Sequence, residues 1–168
     1  LTRAALLALT PALLWLGGCA APAKAPPLTA FREAKPASIL VLPPVNESPD
    51  INATPSFLAQ ATLPLAESGY YVVPVGVMME AFRQNGLTLP NEIQDVAPGK
   101  LREIFGSDAA LYIRITKYGT QFTVLNSVVQ VAASAKLVDL RSGQTLWTGS
   151  AFATNQNNNN SGGLIGAL

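Results

Sequence analysis

An uninterrupted apolar run, Ser38-Ile39-Leu40-Val41-Leu42, limits the fold of this chain more than any other feature. The run is too short for a typical helix, and a strand without polar alternation is buried on both faces. Pro43 and Pro44 end it, because proline cannot donate the backbone hydrogen bond that the middle of a sheet requires. The run therefore predicts a central strand in a sheet that helices cover.

Residues 54–69 carry the signals of the first helix after this strand. Thr54 is a typical N-cap residue, and Pro55 suits the first helical position. Pro64 is expected to kink or break the helix near its end, because it lacks an N–H group. Gly69 suits the termination of the helix.

The remaining segments extend the sheet and cover it. The pattern predicts a strand at residues 70–75, helices at 77–84 and 100–106 with one helical turn at 92–96, and strands at 110–118, 127–139 and 145–153. The strand at 127–139 is expected to bury its alternate residues Val129, Val131, Ala133, Ala135 and Leu137. Gly143 suits the positive φ of the hairpin turn that joins the last two strands. The sequence thus predicts one α/β (α+β) domain over residues 38–154, with a mixed sheet of about five strands in the order β-α-β-α-α-β-β-β.

A second feature concerns residues 1–19. The apolar residues 4–16 would form a helix of roughly 20 Å, which is too short for a hydrocarbon core of about 30 Å. Gly17 and Gly18 then supply the small side chains of a signal cleavage site, and Cys19 is the only cysteine of the chain. We expect cleavage between Gly18 and Cys19 and lipidation of the Cys19 thiol. The alternative is that Cys19 is an ordinary buried apolar residue.

This motif predicts a membrane anchor for the folded domain. Several acyl chains on one cysteine make release from a bilayer negligible, because each buried CH₂ adds about 0.8 kcal/mol. Ala20 stands where an aspartate would oppose delivery to the outer membrane. We therefore expect an outer-membrane lipoprotein that faces the periplasm, although the sequence leaves exposure on the cell surface open.

Residues 19–37 are expected to tether the domain, because they are rich in proline and alanine. Fully extended, the tether would reach roughly 50 Å. The alternative is that part of it packs on the domain through Leu28 and Phe31. At the other end, residues 155–168 form a polar Asn/Gly-rich spacer and an apolar tail, which is typical of the start of another element such as a docking helix. Its abrupt end indicates either a missing carboxyl terminus or a segment that binds a partner.

Composition excludes several classes of function. The chain carries 11 basic and 10 acidic side chains, so a formal charge near zero argues against nucleic acid as a partner. It has no histidine and only one cysteine, which argues against a zinc site and against histidine-based catalysis. We therefore expect no metal, no cofactor and no catalytic residues.

Glu47 and Asp50 are the candidate ligand or partner residues, because their loop leaves the carboxyl end of the predicted central strand. The simpler interpretation is that the polar side chains of this loop satisfy its own backbone. A hydrolase that uses the two carboxylates is a further hypothesis, for which the spacing gives no geometric support.

Three stretches, residues 64–75, 100–113 and 135–147, resemble a family of bacterial outer-membrane lipoproteins of unassigned function, related in fold to the amino-terminal domain of TolB and to CsgG. The resemblance covers roughly residues 38–155. It implies a periplasm-facing α/β domain, self-association into a homodimer and contacts with other envelope lipoproteins. It supplies no catalytic residue.

These observations favour a lipid-anchored, non-enzymatic protein that acts by protein–protein contacts in an envelope transport, secretion or assembly complex. The alternative is a tethered periplasmic regulator of a cell-wall synthesis enzyme.

Overall fold

The computed structural model describes residues 28–122 and 127–155 of the chain. In chain order the elements are helix α1 (Thr29–Ala34), strands β1 (Ser38–Val41) and β2 (Val45–Asn46), helix α2 (Ala53–Glu67), strand β3 (Tyr71–Val72), helices α3 (Val75–Gln84), α4 (Pro90–Gln94) and α5 (Pro98–Phe105), and strands β4 (Ala109–Lys117), β5 (Thr120–Phe122), β6 (Ser127–Asp139) and β7 (Thr145–Thr154). The fold is a single mixed α+β domain, as the sequence predicts. None of the described helices has the length and hydrophobicity needed to cross a membrane.

The seven strands form one mixed sheet in which β1 is an interior strand, next to the edge strand β3. Strand β1 pairs in parallel with β3 on one side and with β4 on the other. Strand β6 runs antiparallel to both β4 and β7. The short strand β2 pairs in parallel with β4, and the short strand β5 pairs antiparallel with β6. Ile39, Leu40 and Val41 are each at most 2% exposed, so the predicted buried strand is confirmed.

The side chains of β4 point alternately to the two faces of the sheet, and helices lie on each face. Ile113 lies on the face where Phe57 and Ala61 of α2 are found. Tyr112 lies on the opposite face, near Asn91 and Gln94 of α4. The side-chain amide of Gln94 also donates to the backbone oxygens of Pro43 and Ile113, which fixes α4 on the sheet. The sheet is therefore covered on both faces, and the core lies within these layers.

The two ends of helix α2 differ from the expectations drawn from the sequence. The helix begins at Ala53, and the Thr54 hydroxyl donates to the backbone oxygen of Pro44 at 3.1 Å instead of capping the helix. Pro64 does not break the helix, which continues to Glu67. The carbonyl of Gln60, which loses its usual donor to proline, belongs to an exposed residue, so it is open to solvent. Gly69 follows the helix with φ +92°, as expected.

The strands differ from the prediction in the length of β3 and in the burial of residues on β6. Strand β3 comprises only Tyr71 and Val72, because Pro74 already leads into α3. Of the alternate residues of β6 that were expected to be buried, only Leu137 is buried; Val129 is 37% exposed, and Val131, Ala133 and Ala135 are partly exposed, because they line an open groove. The short strands β2 and β5 were not predicted, because each makes only a brief pairing that leaves no periodic pattern.

Helix α1 lies within the segment that was interpreted as a tether. Ala30, Phe31 and Ala34 pack against the core, and the helix contacts β7. The alternative left open by the sequence, in which part of this segment packs on the domain, therefore holds for residues 29–34. The expected signal peptide, the cleavage site at Gly18 and Cys19, and residues 156–168 lie outside the described residues.

Candidate interaction surface on strands β6 and β7

The loop that carries the two candidate carboxylates is organised by its own hydrogen bonds. Glu47 forms an ion pair with Arg114 of β4. The Asp50 carboxylate accepts the backbone N–H of Asn52 at 2.8 Å, and the amide of Asn46 donates to the backbone oxygen of Asp50 at 2.7 Å. Both carboxylates thus hold the loop, as in the simpler interpretation, and a ligand role for them stays a prediction.

A concave apolar groove lies elsewhere, on the α2 side of strands β6 and β7. It encloses about 610 Å³ and is bounded by Phe57 and Ala61 of α2, by Tyr118, and by Trp147 of β7. Its floor consists of small side chains and glycine on the two strands, namely Val131, Ala133, Ala135, Gly149 and Ala151. None of the residues that line it carries a charge.

Strand register explains why the groove exists. Ala135 pairs with Gly149 and Ala133 pairs with Ala151, so four small residues share one patch of the sheet. Because side chains alternate between faces along a strand, all four point to the same side. Helix α1 contacts β7, whereas α2 contacts β1, β2 and β3 and borders the groove only through residues such as Phe57 and Ala61. The described elements therefore leave this part of the sheet uncovered.

The outer edge of β7 is the second feature of this surface. Among the described residues β7 pairs only with β6, although it is ten residues long. The backbone N–H of Asn155 donates to the oxygen of Val129, so alternate residues along β7 point their N–H groups toward β6. The N–H groups of Thr148, Ser150 and Phe152 consequently point away from β6, toward the open edge.

The opposite face of the sheet is polar and internally satisfied. The Lys136 ammonium lies 4.9 Å from the centre of the Tyr112 ring, in a cation–π contact. Burial raises the pKa of the Tyr112 hydroxyl above its ordinary value. Arg114 on this face is already paired with Glu47. This face therefore offers stabilising contacts within the domain.

An ionic cluster at Asp108 ties the hairpin to the rest of the fold. Burial would raise the pKa of Asp108, but hydrogen bonds from the Ala37 N–H, Arg141, Ser38 and Arg102 outweigh it and lower the pKa to about 2. The shortest of these bonds joins Arg141 to Asp108 at 2.6 Å. The cluster connects the start of β4, the β6–β7 turn and the chain before β1, so its role is structural.

Within residues 28–122 and 127–155, no three or more acidic or cysteine side chains come together as metal ligands. The groove and the edge of β7 are the two candidate binding surfaces proposed for this part of the chain. Sequence reasoning missed the groove. Its one signal was the alternation of alanine along residues 131–135, interpreted only as core.

The comparisons with known proteins agree with this fold. A crystal structure of lipoprotein GNA1162 from Neisseria meningitidis is 54% identical, covers 76% of this chain and 88% of that one, and superposes with a TM-score of 0.68. The NMR structure of E. coli LpoB has a TM-score of 0.52 at 15% identity, over 73% of this chain and 62% of that one. A PelC dodecamer from Paraburkholderia phytofirmans has a TM-score of 0.50 at 15% identity, over 70% and 71%. At such identities the last two show a common fold alone.

The expected resemblance to bacterial lipoproteins is confirmed, while the likeness to TolB and CsgG stays a prediction. A relative, "Putative lipoprotein NMB1124/NMB1162" of Neisseria meningitidis serogroup B (strain ATCC BAA-335 / MC58), is 55% identical over 140 residues, which is 83% of this chain. The chain spans 65% of the length of that relative. The family model described as "Putative lipoprotein GNA1162-like" matches residues 27–168, so this chain belongs to the GNA1162-like lipoprotein family.

Proposed function

We propose that the protein is a lipid-anchored, non-enzymatic component of the outer membrane that binds other envelope proteins through the open edge of β7. The Cys19 thiol carries the lipid, and the domain faces the periplasm. The partners are other envelope lipoproteins in a transport, secretion or assembly complex, and a second copy of the chain in a homodimer.

The composition of β7 is the observation that carries this proposal. Natural edge strands are protected against unwanted pairing by lysine, proline or a covering element. Strand β7, with the sequence TLWTGSAFAT, has no charged residue and no proline. Phe152, which is 50% exposed, adds an apolar side chain beside this edge. A partner strand would satisfy the outward N–H and C=O groups, as in the strand-addition mode of recognition.

The location of the domain follows from the anchor and from helix α1. Because α1 packs on the core from Thr29 onward, only residues 20–28 remain between the anchor and the domain. Fully extended, they would span at most roughly 28 Å. That reach favours partners close to the membrane that holds the anchor over a regulator that extends across the periplasm.

Photo-cross-linking in intact cells tests the proposal. A benzoylphenylalanine at Phe152 places the reactive group beside the β7 edge with little change in shape. The matched control places it at Tyr71, an aromatic residue that is 64% exposed on the two-residue strand β3 at the other edge of the sheet. We expect discrete adducts from position 152 and none of the same mass from position 71.

The adducts also distinguish the partners. An adduct of twice the protein's mass identifies the homodimer, and other masses identify envelope proteins. Capture of a cell-wall synthesis enzyme at position 152 would establish the alternative regulatory role. Equal adducts from both positions, or none from position 152, would contradict binding through this edge. Normal function of a Glu47→Gln, Asp50→Asn variant in cells would remove the hypothesis of a hydrolase that uses these carboxylates.

A further inference from the structure

We propose that the apolar groove binds an apolar segment of the same chain, residues 164–168. This segment lies outside the described residues, and its sequence is Leu-Ile-Gly-Ala-Leu. The proposal concerns the face of β6 and β7, not the outer edge of β7. This proposal can therefore be tested independently of the partner binding proposed above.

The chemistry of the groove fits this occupant. The lining contains no charged side chain, and its floor of alanine and glycine leaves room for branched apolar side chains. Residues 156–168 likewise carry no charge. An apolar surface that the described elements leave open gains most from an uncharged apolar ligand, because no charge loses its hydration on binding.

The path of the chain brings this segment to the groove. Strand β7 ends beside Val129, which lines the groove, and there Asn155 is held by two hydrogen bonds. These bonds join the Asn155 N–H to the Val129 oxygen and the Val129 N–H to the Asn155 side chain at 2.7 Å. The chain therefore leaves the sheet at the mouth of the groove.

The spacer has the necessary length. Residues 156–163 can span up to about 26 Å when extended. Gly149, on the groove floor, lies six positions before Asn155 along β7, which corresponds to roughly 20 Å of strand. Leu164 can consequently return along the strand and reach any part of the groove. No second copy of the chain is required.

Disulfide trapping tests the contact directly. The chain from residue 20 onward contains no cysteine, so introduced pairs are unambiguous. Ala133→Cys lies on the groove floor, whereas Ala132→Cys is its neighbour on the opposite face of the sheet. Combined with Ala167→Cys, the first should form an intramolecular disulfide under mild oxidation, and the second should not.

The mobility of the product on a non-reducing gel decides the outcome. A fast-migrating monomer for the Ala133 pair alone supports the proposal. A disulfide that joins two chains would overturn it in favour of exchange of the segment between copies. Equal oxidation of both pairs, or of neither, would also overturn it.

Fluorescence supplies a second measurement on an unmodified groove. Trp147 lines the groove and is the only tryptophan of the chain from residue 20 onward. Replacing Leu164, Ile165 and Leu168 by Asn should shift its emission to longer wavelength and raise its quenching by acrylamide. A matched variant with Asn158, Asn159 and Asn160 replaced by Ser should leave the emission wavelength and the quenching unchanged. Identical spectra for all three proteins would contradict the proposal.

Discussion

The indole of Trp147 lies across Gly149, so that a Cβ built on Gly149 would stand 2.5 Å from ring carbon Cη2. The two residues are two positions apart on β7, and their side-chain positions therefore share one face of the sheet. Because glycine has no side chain, the ring folds onto the strand instead of standing above it. The depth of the groove consequently depends on glycine at position 149.

Gly149→Ala is expected to displace the Trp147 ring and to destabilise the domain by about 1–3 kcal/mol, as overpacking does. Gly76→Ala in helix α3 is the matched control, since a Cβ there meets no atom within 4 Å. The control should stabilise the domain by about 0.5–1 kcal/mol, because alanine favours helix. Urea unfolding measures both changes. A stability unchanged by Gly149→Ala would contradict the close packing of the ring.

Asp108 should make the stability of the domain depend on pH in the acid range. Its pKa is lowered to about 2 in the folded state from an ordinary value of 3.8. A lowered folded-state pKa adds stability that is present above about pH 4 and is lost as the pH falls toward 2. The contribution at neutral pH is about 2 kcal/mol.

Asp108→Asn should remove this contribution at pH 7 and flatten the loss of stability between pH 4 and 2. Asp95→Asn, at an exposed residue in the turn after α4, serves as the control and should retain the acid dependence. Urea unfolding at several pH values measures the effect. A parallel pH profile for Asp108→Asn and the unmodified protein would argue against the ionic cluster.

Two serines should respond in opposite ways to alanine. The Ser107 hydroxyl is buried with no hydrogen-bond partner in the described part of the chain. Ser107→Ala should therefore raise the unfolding free energy or leave it unchanged. The Ser38 hydroxyl donates to the Asp108 carboxylate at 3.2 Å and accepts its backbone N–H at 2.9 Å, so Ser38→Ala should cost about 1–2 kcal/mol. Thermal unfolding compares the two variants. Equal losses of stability would contradict the difference in hydrogen bonding between Ser38 and Ser107.

Proline substitutions on β7 should distinguish the stability of the domain from its pairing with a partner strand. The Ser150 N–H points to the open edge, so Ser150→Pro should leave the pairing with β6 intact and abolish the partner cross-links. The Ala151 N–H faces β6, so Ala151→Pro should remove a hydrogen bond of the sheet and cost about 1 kcal/mol or more. Thermal unfolding and photo-cross-linking measure the two effects. Cross-links that survive Ser150→Pro would exclude pairing along this edge.

The anchor is tested by labelling with palmitate. We expect label in the unmodified protein and none in Cys19→Ala, because the thiol is the acceptor. The variant should also lose its processed amino terminus and, if the signal is removed by another route, appear in the soluble fraction. Cys19→Ala that retains the label would refute lipidation at this residue.

The elements with strong local signals were predicted correctly. The continuous apolar run of β1, the alternation of β4 and the turn at Gly143, which has φ +73°, are each determined by a few neighbouring residues. The errors lie where distant contacts decide the structure. Thr54 bonds to Pro44, and Val129 is exposed at the rim of an open groove.

Local patterns and motifs in the sequence were enough to indicate the family, the α/β class and the buried strand β1. Lipidation at Cys19 stays a prediction from such a motif. The tertiary structure alone decided the candidate interaction surface. The groove depends on the register that places Ala135 beside Gly149 and on the position of α2, and the open edge depends on the order of strands in the sheet. Residues far apart in the chain create both features. The hydrophobic pattern of a strand does not reveal whether a neighbouring strand or helix covers it.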